Sequence, residues 1–153
     1  MGRFKNLVDS LTGMEGFRPK YHILQGVVLE YCSPNEVLID RQAGEVIIPM
    51  ITFIEGGMTL PIGRITRDYL RNHKLCPHQC APNLFRVLGS VDALNDQMNL
   101  GLTRHDVTHM YKCHSLANAG YYIMSWSDIV RLISYLSKSN KGLKDDYLII
   151  LRE

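Results

Sequence analysis

Apolar positions in the middle of the chain recur every three or four residues. Ile62, Ile65, Tyr69 and Leu70 share one face of a helix predicted from about Pro61 to Lys74, with Thr59 as its cap. Leu84, Leu88, Val91 and Met98, flanked by Val87 and Leu94, follow Pro82, a residue suited to a helix's first turn. They predict a second helix that turns Phe85, Leu88 and Val91 inward. A third starts at Thr103, where Thr-x-x-Asp approximates a capping box through Asp106, and is expected to bury Val107, Met110, Tyr111 and His114.

On either side of this block the period changes. Phe4, Leu7, Val8 and Leu11 predict a short N-terminal helix stopped by Gly13. Val27 to Leu29 and Glu36 to Ile39 read as short strands around the turn Ser33-Pro34-Asn35, and Pro49 opens a brief helix that Gly56-Gly57 ends. After Gly120, Tyr121 to Met124 and Leu148 to Leu151 are strand formers. Residues 129–136 satisfy both periods; a strand is favoured, joined to the last one by a Ser139-Asn140-Lys141-Gly142 turn. The expected fold class is α+β, a central helical segment (about 50–114) followed by a small C-terminal antiparallel sheet (about 120–152).

A chain of 153 residues has the size of one ordinary domain, and 46% hydrophobic with 21% charged residues is a globular composition. The formal charge of +2 is too mild for the whole-domain basic field of a dedicated nucleic-acid binder. No apolar run has the length of a membrane span, and MGRFKNLVDSLTG lacks the apolar core of an export signal. Gly2 starts a myristoylation-like pattern, but Asn6 stands where Ser or Thr is required. Without an export signal, the four cysteines read as reduced thiols of a cytosolic or nuclear protein.

Five segments carry a family resemblance when taken in order: EGGMTLPIGRITRDYL (55–70), QCAPNLFRVLGSVDALN (79–95), LTRHDV (102–107), GYY (120–122) and RLISYLSKSNKGLKDDYLI (131–149). Together they resemble the plant gypsy-type transposon domain, a gag-like region near the start of retroelement-derived polyproteins. The similarity runs from about Val46 to Ile150, and it divides the chain into an irregular N-terminal segment (1–44) and a gag-like domain (45–153). It implies a non-catalytic region that self-associates or scaffolds, with no cofactor and no assigned site residues. Leu143 stands where relatives often have an aromatic residue, and the chain lacks the charged, coiled-coil region that commonly follows the domain, so a fragment or a C-terminally truncated copy is the expectation.

Beside that resemblance stand three chemical candidates. Cys76 and Cys80 of CPHQC, with His105 and His109, give the letters C-x-x-x-C and H-x-x-x-H of a zinc site, but 24 residues separate the pairs against about 12 to 15 in a usual finger. A Pro-rich turn between helices accounts for more of the stretch, and Pro77, Gln79, Pro82 and Asn83 belong to the pattern of the resemblance. His105 and Asp106, with His78 and Asp128, could be cast as a metal-dependent hydrolase, although Asp106 already has a capping role. Arg64, Arg67, Arg71 and Lys74 form a basic stripe that could track the phosphates of RNA or DNA, interrupted by Asp68. Tyr121, Tyr122 and Tyr135 read as packing residues more than a base-stacking platform. No Walker loop, nucleophile elbow or dinucleotide fingerprint occurs, so no small-molecule substrate is indicated.

Overall fold

The computed structural model describes residues 4–33, 46–116, 120–125 and 147–151. Its first helix, α1 (Leu11–Lys20), lies further along the chain than the N-terminal periodicity predicts, and Lys5–Leu7 forms only a 3-10 turn. Ser10 sets the start, because its hydroxyl accepts the Gly13 amide at 3.0 Å. Gly13 sits inside the helix instead of ending it; a β-carbon there would come within 2.8 Å of the Leu7 carbonyl, so the tight reversal into α1 needs glycine. Phe17 alone is buried along α1, and Arg18 ties the following loop to the fold by donating to the carbonyls of Val27 and Leu24.

Strand β1 (Val28–Cys32) continues past the predicted Val27 to Leu29. The predicted partner, Glu36 to Ile39, lies outside the described residues, as do residues 129–136 and the Ser139 to Gly142 turn. β2 (Val46–Pro49) and β1 instead flank β5 (Tyr147–Leu151), all antiparallel, in the order β1-β5-β2. Leu29 faces Ile150 and Tyr31 faces Leu148, while Ile47 and Glu30 both face Ile149. Alternation therefore gives the sheet two apolar faces. Ile48 and Leu148 join the main core, and Cys32, Tyr147 and Ile149 form a second cluster.

Pro49 caps the brief helix α2 (Met50–Ile54), whose first four residues are buried. Gly57, at φ +70, ends this segment in the left-handed conformation that glycine takes without strain. Helix α3 (Arg64–Asn72) starts later than Pro61 and is not capped by Thr59, whose hydroxyl donates instead to the Pro61 carbonyl. Ile65, Tyr69 and Leu70 are buried as its periodicity requires.

The centre of the molecule is α4 (Pro82–Met98), which buries Leu84, Phe85, Val87, Leu88 and Val91. Met98 departs from the expected face and stands exposed at the helix end, where left-handed Asn99 stops the helix. The capping box between Thr103 and Asp106 opens α5 (Arg104–Met110). The helix does not continue to His114. Residues from Tyr111 form β3 (Tyr111–Leu116), paired antiparallel with β4 (Gly120–Ser125), with buried Tyr111 facing Ser125 and Cys113 facing buried Ile123. The fold is thus mixed α+β with small antiparallel sheets, as the sequence predicts. Among the described residues no helix is long and apolar enough to cross a membrane.

Candidate functional site

The CPHQC stretch is a turn held by its own side chains. Pro77–Gln79 form one 3-10 turn, the Gln79 side-chain oxygen accepts the Cys76 amide at 2.9 Å, and the Gln79 amide returns to the Cys76 carbonyl at 2.9 Å. Cys80 then bridges to Tyr121, and the Ala81 amide donates to the Tyr121 carbonyl at 2.6 Å, so the turn docks the start of α4 on β4.

Cys76 and Cys80 are not gathered with His105 and His109. Among the described residues no three His, Cys, Asp or Glu side chains come together as a metal would require. The Cys80 thiol donates to the Cys76 carbonyl at 3.5 Å and has Cys76, Cys113 and Tyr69 as neighbours; the Tyr69 hydroxyl and the Cys113 thiol hydrogen-bond. Burial pushes the Tyr69 phenol, the Cys80 thiol and the Cys113 thiol above their ordinary ranges, with neighbouring thiols adding to the effect on Tyr69 and Cys80. Such groups stay protonated at neutral pH, the reverse of what a nucleophile needs.

The His105-Asp106 pair is similarly occupied. Asp106 accepts the Thr103 amide at 2.8 Å and the Thr103 hydroxyl at 3.3 Å, while His105 is exposed. His78 is exposed on the 3-10 turn, where partial desolvation lowers its pKa, and Asp128 is outside the described residues.

Three members of the basic stripe, Arg64, Arg67 and Arg71, lie on α3. Arg64 and Arg67 flank Asp68 at 3.9 and 4.0 Å, with their side chains 81% and 57% exposed. Pairs this exposed contribute little to stability. Lys74 has left the helix, in the left-handed conformation at φ 55. Across the β3–β4 ribbon Tyr122 stacks on His114 with centroids 5.2 Å apart; Tyr135 falls outside the described residues.

Three polar side chains of α4 join it to neighbouring elements. Asp92 on α4 accepts the amides of Ile65 at 2.8 Å and Thr66 at 3.2 Å, and the Thr66 hydroxyl at 2.8 Å, thereby capping α3 from a neighbouring helix. Asn83 is buried and bonds both ways to Ile123 of β4, donating to its carbonyl at 3.1 Å and accepting its amide at 3.2 Å. Asn95 does the same for Leu102, at 2.9 and 2.8 Å. Two hollows flank the Gly63–Asp92 contact. One, of about 290 Å³, is floored by Met58, Ile62 and Phe85; the other, of about 510 Å³, is lined by α3, the end of α4 and the start of α5.

No family model matches the chain, and the comparisons with curated proteins and with solved structures find no similar protein.

Proposed function

We propose that the chain is a non-catalytic, retrotransposon-derived gag-like domain that works by self-association or scaffolding within a transposable-element polyprotein or its remnant. The observation that supports this reading is how the polar residues of the resembling segments are used. Asp92 and Asn95 (segment 79–95) hold Ile65 and Thr66 (55–70) and Leu102 (102–107), and Asn83 holds Ile123, the residue after 120–122. Segments 55–70, 79–95 and 102–107 are thus joined by side-chain to backbone bonds, and Asn83 extends the joint to the strand that carries 120–122. A scaffold needs such joints, and carboxylates and amides engaged in them are not free for acid–base work.

Sedimentation velocity of the full chain over a range of concentrations tests the reading: a rise in weight-average mass with concentration is expected. The competing reading is a nucleic-acid module built on the exposed Arg64, Arg67 and Arg71, and titration with single-stranded RNA addresses it. Weak, sequence-independent binding is expected. Sub-micromolar binding that Arg67→Glu with Arg71→Glu abolishes, and that falls steeply with salt, would replace the scaffold by an RNA-binding role.

A further inference from the structure

The larger hollow has an apolar projection beside it. Arg64, Asp68, Asp96, Leu102, Arg104 and His105 are among the residues that line it. Immediately alongside, Met98 and Leu100 are 62% and 50% exposed. The segment that carries them is held firmly: left-handed Asn99 and Gly101 at φ 65 bend it, and the paired Asn95–Leu102 hydrogen bonds close its base. An apolar projection fixed before contact loses little entropy when it binds.

Charge placement gives a second, independent observation. Asp96 lies in the last turn of α4, and Arg104 is the first residue of α5. Each sits at the helix end where its own charge is disfavoured, because helix C-termini favour cations and N-termini favour anions. Neither side chain has an ion-pair or hydrogen-bond partner among the described residues. Local rules broken without compensation inside the fold mark residues held for a purpose outside it.

We propose that this face binds a second copy of the chain, with Met98 and Leu100 of one copy seated in the hollow of the other and Asp96 of each meeting Arg104 of its mate. Met98 and Leu100 alternate along the chain with Asn99 and Gly101, which line the hollow, and Asp96 and Arg104 both line it. A two-fold axis therefore makes every contact twice and closes the assembly at a dimer. A second copy is the occupant that matches, since the opposite charges needed across the contact are the ones this surface itself presents. The inference rests on the self-association reading and names the surface for it.

The test is sedimentation equilibrium of the full chain up to concentrations on the order of 100 µM, suited to a small interface. Asp96→Arg and Arg104→Asp are each expected to weaken the dimer at least tenfold, and an equimolar mixture of the two variants to recover it. Both reversals place the favoured charge at their helix end, so thermal melts should show the folds intact. Met98→Ser with Leu100→Ser should weaken association equally. Dimerisation that all these variants leave unchanged would overturn the surface while leaving self-association standing; a wild-type chain that stays monomeric throughout would overturn both.

Discussion

Gly63 and Asp92, 29 positions apart, occupy one space: a β-carbon on Gly63 would overlap the Asp92 carboxylate. The same carboxylate caps α3, so it cannot swing aside without giving up its bonds to Ile65 and Thr66.

Gly63→Ala is therefore expected to destabilise the protein by about 1–3 kcal/mol, even though φ −64 suits alanine and the change stiffens the unfolded chain. Asp92→Ala should cost a similar amount through the lost cap. In the double variant the clash disappears, and Gly63→Ala should become neutral or stabilising. Urea unfolding of the four proteins measures the coupling. Additive losses would show that the two residues do not share the contact described.

This contact also marks where sequence reading reaches its limit. Helix α4 was legible because its period, its Pro82 start and its inward Leu88 are local properties of one segment. The cap of α3 was not, since Asp92 lies 27 residues from the Ile65 amide it serves. Tyr111 lies four residues after Val107 and so continues a helical period; it becomes a strand residue because β4 offers a partner, which no local pattern reveals. The exposed arginines of the stripe could be read from periodicity, whereas the left-handed Lys74 depends on where α3 stops. The adverse placement of Asp96 and Arg104 becomes visible only when both helix ends are known.

Asn83 gives a second expectation. It is 3% exposed and supplies both a donor and an acceptor to the Ile123 backbone. Asn83→Leu would leave that amide and carbonyl buried without their partner, at a cost of about 1–3 kcal/mol for each unsatisfied group. Amide exchange should show β4 losing protection first, because its side-chain attachment to α4 is removed and only the Ala81–Tyr121 backbone bond beside it remains. Unchanged protection at Ile123 would contradict the assignment.

Gly89 should respond in the opposite direction. It lies within α4, borders the smaller hollow, and a β-carbon there would meet nothing within 4 Å. Gly89→Ala is expected to raise stability by about 0.5–1 kcal/mol through helix propensity alone. A loss in the thermal midpoint would mean that the space beside α4 is filled.

Alkaline pH should separate the buried thiol cluster from the rest of the titration. In the unfolded chain cysteine loses its proton near pH 8.5 and tyrosine near 10. In the folded protein burial holds Cys80, Cys113 and Tyr69 protonated to higher pH. The folded state then binds more protons than the unfolded state, and linkage makes stability fall as pH rises. The contribution is fully present below about pH 8 and is lost from about 8.5 upward, more steeply once the phenol joins near 10. Urea midpoints measured under reducing conditions from pH 7 to 10.5 should follow this curve. Cys80→Ala removes one titrating group and should flatten the slope between pH 8.5 and 10, whatever its cost at neutral pH. A variant whose slope equals that of the wild type would place the Cys80 thiol in water, in conflict with its complete burial.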